Sequence, residues 1–152
     1  DLIDRRLWGT YEFNVVTATN ELEDYHLNWG ALISQGVALR LDYLPLQVHH
    51  LRLANFRSDM AVNIKSQSIF KNVSQQAFAG RDTILVGTRT ELLPYLSDDI
   101  LNKITNGYLG IYPNGKNSAH FILVISGTNE REVSKAVAAF AHINLQYNNI
   151  VG

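Results

Sequence analysis

The run HFILVI, residues 120–125, is the feature that most constrains what this chain can fold into. A strand of almost uninterrupted apolar residues offers no polar face to water, so it belongs inside a parallel sheet that is covered on both faces. A helical stripe of apolar residues follows between Glu130 and His142, at Val133, Ala136, Val137, Phe140 and Ala141. The two segments together predict a buried strand and a helix that packs on it.

Strands and helices alternate along the rest of the chain as well. Runs of β-branched and aromatic residues predict strands at 11–17, 46–53, 83–86 and 108–112. Helical spacing of apolar residues predicts helices at 20–42, 66–78, 88–96 and 97–104, with a short strand at 60–64. This alternation predicts an α/β fold with a flavodoxin-like open, mostly parallel sheet and helices on both faces. The strands expected to be buried are 13–16, 84–86, 109–111 and 121–125.

Length and composition narrow the class of protein. The 152 residues suit one domain, 1–152, and a chain that is 46% hydrophobic and 18% charged has the composition of a globular protein. The net charge is −1 and the basic residues are scattered, so no basic stripe is available and no nucleic-acid partner is predicted. The absence of cysteine excludes disulfides, thiolate nucleophiles and Cys-ligated zinc. The chain opens on DLIDRR without an initiator Met, and we expect a domain excised from a larger protein.

The stretch VVTATNELED, residues 15–24, raises the question of flavin binding. Flavodoxins present such a strand and Thr-rich turn to the phosphate of flavin mononucleotide, at the start of a helix. Thr17 and Thr19 could supply hydroxyls, but Asn20 stands where that motif usually has Gly. The acids at 21, 23 and 24 would satisfy the helix dipole themselves and repel a phosphate. We therefore predict no flavin and no other cofactor, with an FMN-binding redox protein as the alternative.

The simpler interpretation of this turn is a helix cap. A Ser, Thr, Asp or Asn followed three residues later by Glu has the spacing of a capping box, in which side chains satisfy the free N–H groups of the first helical turn. The same spacing recurs at three predicted strand-to-helix junctions: Asn20 with Glu23, Thr88 with Glu91, and Asn129 with Glu132. Because the same capping pattern recurs at all three junctions, it indicates that these residues stabilise the helix ends and do not bind a ligand.

No other residues form a recognisable catalytic or metal-binding set. His49 and His50 are adjacent, and on a strand their side chains would point to opposite faces and could not chelate one metal. We therefore predict no catalytic, cofactor-binding or metal-binding residue and no enzyme activity. Trp8, Tyr108 and Tyr112 could stack on sugar rings, or they could complete a core or an interdomain contact.

Two stretches of the second half carry a more distinctive pattern, DTILVGTRTELLPYL and GYLGIYPNGKNSAHFILVISGTNEREVSKAVAAFA. A strand ends in Val-Gly-Thr at 86–88, a Leu/Pro-rich short helix covers 92–95, and another strand enters the Pro113-Asn114 turn. A strand at 123–127 then leads to a helix that begins after Asn129 and ends Ala-rich at Ala141. In these features the chain resembles the periplasmic B subunit of bacterial cellulose synthase (BcsB). The turn PNGKNSA departs from that family's usual N-P-x-D/N-P form, so a related exopolysaccharide system is the alternative within the resemblance.

The resemblance implies a structural or regulatory role without catalysis. In that family jelly-roll carbohydrate-binding domains alternate with flavodoxin-like domains that hold no flavin, and a C-terminal membrane anchor couples the protein to the glycosyltransferase subunit. The implied place is the periplasmic side of the bacterial inner membrane, in a parent protein that partners the cellulose synthase catalytic subunit and helps guide the polymer. The family is often linked to cyclic di-GMP, but this chain has no Arg-rich nucleotide motif. Direct glucan binding is the second alternative.

Overall fold

The computed structural model describes residues 11–18, 22–41, 45–57, 69–74, 78, 80–114 and 119–151, with the backbone alone for 40–41 and 143–151. The strands are β1 (Tyr11–Thr17), β2 (Leu46–Arg52), β3 (Asp82–Thr88), β4 (Gly107–Pro113) and β5 (Phe121–Gly127). The α-helices are α1 (Asp24–Leu41), α2 (Arg89–Leu92), α3 (Asp98–Leu101) and α4 (Glu130–Val151), and a 3₁₀ turn covers Leu53–Phe56. No helix among the described residues is long and apolar enough to cross a bilayer.

The five strands form one sheet in the order β2-β1-β3-β5-β4. The pairs β1–β2, β1–β3 and β3–β5 are parallel, and only β4 runs antiparallel, against β5. This confirms the predicted α/β fold with an open, mostly parallel sheet. The apolar run that opens β5 lies inside the sheet, as its lack of a polar side requires.

Each face of the sheet buries its own apolar cluster. On one face, which we call the α1/α4 face, side chains such as Phe13, Ile84 and Ile125 pack under Trp29 of α1 and Val137 of α4. The opposite α2/α3 face is covered by shorter pieces, namely the 3₁₀ turn, α2 and α3, through Leu53, Leu92, Ile100 and Leu101. Helices therefore lie on both faces, as predicted, although the two long ones share a face.

The prediction that residues 109–111 form a buried strand is wrong. β4 is an edge strand, and the side chains of Leu109 and Ile111 are 37% and 72% exposed. Both lie on the α1/α4 face, because they pair with Ile125 and Leu123. Helix α4 contacts the start of β4, where its first turns lie against Gly107, and leaves the Ile111 end uncovered.

The segment between β2 and β3 also differs from the prediction. A helix was expected over 66–78, but residues 69–74 form bends and isolated bridges, in which Phe70 pairs with Leu96 and Val73 with Arg57. Phe70, Val73 and Phe78 are buried in the α2/α3 cluster, so burial and not helical spacing explains their apolar character. The short strand expected at 60–64 lies outside the described residues.

Candidate functional site at the carboxyl ends of the strands

The order of the strands creates a crevice at the carboxyl ends of β1 and β3. The connection after β1 passes through α1 to β2 on one side of β1, whereas the connection after β3 passes through α2 and α3 to β4, at the opposite edge of the sheet. Ligands of open α/β sheets bind outside the carboxyl ends of the strands at such a switch point. The residues that begin α1, α2 and α4 therefore decide whether this crevice can hold a ligand.

Helix α1 begins later than predicted and is capped by a different pair of residues. The carbonyl of Glu23 accepts the first helical hydrogen bonds, from the N–H groups of His26 and Leu27, which makes Glu23 the N-cap residue. Glu23, predicted as the partner of an Asn20 cap, is thus the N-cap of α1 itself, and Asn20 lies outside the described residues. The N–H of Glu23 donates to Nδ1 of His26 at 2.8 Å, so His26 performs the part that Glu or Gln has in a capping box.

The same histidine bridges the crevice. Its other ring nitrogen, Nε2, lies 2.6 Å from Oε2 of Glu91, at the start of α2. Because Nδ1 accepts a hydrogen bond, the ring proton is on Nε2 and is donated to the Glu91 carboxylate. The imidazole is buried, and Tyr25 and Trp29 pack against it. The ends of β1 and β3 are thus joined by a hydrogen bond between residues 65 positions apart in the chain.

Carboxylates surround this junction. Glu91 belongs to α2, Glu130 to the first turn of α4, and Glu23 precedes α1. Their influence is seen at Tyr25, whose pKa is raised by partial burial and then by three acids: Glu91, Glu130 and Glu23. A carboxylate about 8 Å from a phosphate charge costs about 2 kcal/mol at an effective dielectric constant of about 20. Within the part of this crevice that the structure describes, the acidic side chains therefore disfavour the phosphate of a flavin nucleotide.

The other two predicted caps are visible in the structure. Thr88 and Glu91 form a complete capping box: the Thr88 hydroxyl accepts from the N–H of Glu91 at 3.1 Å, and the Glu91 carboxylate accepts from the N–H of Thr88 at 2.9 Å. At α4, Oδ1 of Asn129 accepts from the N–H of Glu132 at 3.0 Å, while the Glu132 carboxylate lies 3.4 Å from Nζ of Lys135. Glu91 thus serves a cap and a buried histidine at once, whereas the described partner of the Glu132 carboxylate is Lys135, whose side chain is exposed.

The aromatic residues considered for sugar stacking are not presented as an open platform. Tyr108 and Tyr112 lie half-buried against the α2/α3 cluster, and their hydroxyls hydrogen-bond to each other above Gly110. Burial, and then the hydrogen bond between its hydroxyl and that of Tyr112, raises the pKa of Tyr108. Trp8 lies outside the described residues.

At the amino ends of the strands, a second polar cluster holds neighbouring strands together. The Asp82 carboxylate accepts hydrogen bonds from the hydroxyl of Tyr11 and from the N–H of Phe121, and the His120 ring lies 3.2 Å from it. Beside it the buried amide of Asn14 donates to the hydroxyl of Thr83 at 3.1 Å. These polar groups satisfy one another and so act as structural links between β1, β3 and β5.

Sequence reasoning missed the roles of His26 and Asp82. The only local signal for His26 is its position three residues after Glu23, which matches the capping-box spacing with an unusual side chain. The partner Glu91 was expected as a cap, but nothing in the sequence links it to His26. Within the described residues, no three His, Asp or Glu side chains come together in a way that could hold a metal ion.

Comparison with known proteins does not assign the chain to a family. It matches no protein-family model and no curated protein sequence.

Proposed function

We propose that this chain is a non-catalytic structural domain of a larger exopolysaccharide synthase subunit of the cellulose synthase type. The observation that carries the proposal is the crevice at the switch point, which the His26–Glu91 hydrogen bond bridges and several carboxylates surround. In a flavodoxin-like sheet this is the place where a nucleotide or reactive group would be bound. A domain that uses its switch point for internal hydrogen bonds is suited to supporting neighbouring domains.

The type of parent protein is proposed from the resemblance in the second half of the chain. The features that carry it are the strand ending in Val-Gly-Thr at 86–88, the Leu/Pro-rich turn that follows, and the capped Ala-rich helix after Asn129. In the proposed arrangement the parent lies on the periplasmic side of the bacterial inner membrane, is anchored in it, and partners the glycosyltransferase subunit. The domain would then hold its neighbours in position while the polymer passes.

The two alternatives receive less support from the geometry. An FMN-dependent redox protein needs a permissive phosphate loop, whereas the helix starts here are acidic. A direct glucan-binding module needs exposed aromatic faces, whereas Tyr108 and Tyr112 are half-buried and joined to each other.

The parent type is tested by the coding sequence on either side of this domain. We expect jelly-roll β-sandwich segments and a C-terminal membrane helix in the same reading frame. A flanking reductase domain, or a frame with neither feature, would overturn the proposal. Affinity electrophoresis of this chain in gels with and without soluble glucan separates the scaffold from the glucan-binding alternative, because a scaffold migrates identically in both gels.

A further inference from the structure

A cleft of about 220 Å³ lies between α1 and the last residues of β2. β2 is an edge strand, and none of its residues is buried. Helix α1 comes close to β2 at Gly30, beside His50, and packs on α4, where Nε1 of Trp29 donates to Oγ of Ser134 at 2.9 Å. The space that remains beside β2 is therefore built into the packing of the helices.

The walls of the cleft are mainly apolar, and its free polar groups are cationic or neutral. Val15, Leu22 and Leu27 line it, together with His50 and Arg52, while Leu51 lies in its wall with a side chain that packs on the α2/α3 face. Arg52 is half-buried, and the side chains of Arg52 and His50 have no hydrogen-bond or ion-pair partner among the described residues. An unpaired guanidinium beside an apolar wall can bind an anion that also carries an apolar group, because the charge pairs with the guanidinium and the apolar group packs on the wall.

The acids described above do not neutralise this charge. Glu91 and Glu130 follow β3 and β5, on the far side of β1 from β2, and Glu91 meets the cleft at His26, to which it is hydrogen-bonded. Glu23 follows Leu22 of the cleft wall, but no ion pair joins it to Arg52. Glu12 pairs with His49 at 2.7 Å, but both lie on the α2/α3 face, whereas His50 and Arg52 point to the α1/α4 face. At the end of the cleft formed by Arg52, the guanidinium thus has no ion-pair partner among the described residues.

We propose that this cleft binds a small monocarboxylate that carries a short unbranched apolar chain. The carboxylate would accept the paired N–H groups of Arg52, whose planar fork matches its two oxygens, and the chain would lie against Leu22 and Leu27. A cavity of about 150 Å³ holds a benzene molecule, so the volume of the cleft suits a chain of about six carbons. A single unpaired guanidinium balances one negative charge, which favours a carboxylate over a phosphate dianion. The proposal does not depend on the proposed function.

The test is a titration of the folded chain with sodium hexanoate, followed by ¹H–¹⁵N chemical shifts. We expect saturable shifts centred on residues of the cleft, and weaker or no binding of hexanol and hexylamine, which lack the carboxylate. Arg52→Gln should weaken hexanoate binding at least about tenfold. Gly30→Leu should abolish it, because a Cβ at Gly30 would lie 3.7 Å from Cε1 of His50 and a longer side chain would fill the cleft. Arg131→Gln, at an exposed arginine in the first turn of α4 that is not part of the cleft, is the control and should leave the affinity for hexanoate unchanged.

Three results would overturn the proposal. The first is the absence of saturable shifts up to the solubility limit of hexanoate in a sample that retains its native spectrum. The second is binding that survives Arg52→Gln or is matched by hexanol, which would mean an apolar cavity without carboxylate recognition. The third is tighter binding of inorganic phosphate at the same residues. Because Arg52 is partly exposed, its substitution leaves the fold intact and keeps the test decisive.

Discussion

The hydrogen bond between His26 and Glu91 gives the sharpest prediction for stability. In Glu91→Gln one side-chain oxygen remains, but the Glu91 carboxylate accepts from two donors: the N–H of Thr88 and Nε2–H of His26. Whichever way the new amide turns, its NH₂ group faces one of these donors. A change of tautomer, with the ring proton on Nδ1, would not help, because Nδ1 of His26 accepts a hydrogen bond from the N–H of Glu23. The substitution therefore leaves a donor facing a donor in a junction where His26 is 4% exposed.

The expected cost follows from the kind of bond that is lost. A hydrogen bond to a charged group contributes about 1.5–3 kcal/mol, and a buried group left without a partner costs a similar amount. For a chain of this size each kcal/mol lowers the melting temperature by about 2–4 °C, so we expect Glu91→Gln to lower it by about 3–12 °C. The assay is urea unfolding followed by circular dichroism, with a thermal melt as a second reading.

Glu132→Gln is the matched control for Glu91→Gln. Glu132 occupies the same position in the first turn of α4, and its side chain is 19% exposed, but the described partner of its carboxylate is Lys135, which is 64% exposed. An ion pair with an exposed lysine contributes at most about 1 kcal/mol, so the control should unfold almost as the wild type does. If Glu91→Gln is no more destabilising than Glu132→Gln, the account of the junction is wrong. A double-mutant cycle with His26→Ala should show a coupling of about 0.5–3 kcal/mol.

Three further predictions concern other parts of the fold. Gly127→Ala should lower the free energy of unfolding, measured in urea, by about 1–3 kcal/mol, because the new Cβ would lie 2.7 Å from the backbone N of Val133 in α4. Gly30→Ala is the control and should not destabilise the fold, because its Cβ would make only ordinary contacts. Thr83→Val should lower the free energy of unfolding by about 1–3 kcal/mol, because the buried amide of Asn14 loses its acceptor. An unchanged free energy of unfolding would contradict the proposed link between β1 and β3. Because the pKa of Tyr108 is raised above its ordinary value of 10.0, the unfolded chain loses that proton first as the pH rises. The contribution of Tyr108 to the free energy of unfolding should therefore be fully present below about pH 10 and be lost above it. The free energy of unfolding should fall less steeply with pH in Tyr108→Phe than in the wild type, and equal slopes in the two proteins would contradict the assignment.

Local patterns in the sequence were enough to predict most of the sheet. The β-branched and apolar runs of β1, β3 and β5 predict strands because a buried strand needs apolar residues on both faces. The capping box at Thr88 and Glu91 could also be predicted, since its two residues are three positions apart and their hydrogen bonds are local. Properties that depend on neighbours in sequence are the ones that a pattern can reveal.

The features that escaped prediction depend on partners far along the chain. Residues 109–111 look like a buried strand, but their exposure is decided by an edge position and by where α4 crosses. The spacing of apolar residues at 69–74 predicts a helix, but these residues are apolar because they are buried against several different elements. The bond from His26 to Glu91 joins two helix starts that only the folded sheet brings together.

The central claim is that the crevice at the switch point is internally satisfied and does not bind a flavin phosphate. The measurement that tests it most directly is the thermal unfolding of the chain during a titration with flavin mononucleotide, with riboflavin, which lacks the phosphate, as the control. A ligand at a hundred times its dissociation constant stabilises a folded protein by about 2.7 kcal/mol, so real binding would be visible. We predict an unchanged melting curve at every soluble concentration. A saturable upward shift with flavin mononucleotide, absent with riboflavin and abolished in a Thr17→Ala/Thr19→Ala variant, would contradict the claim.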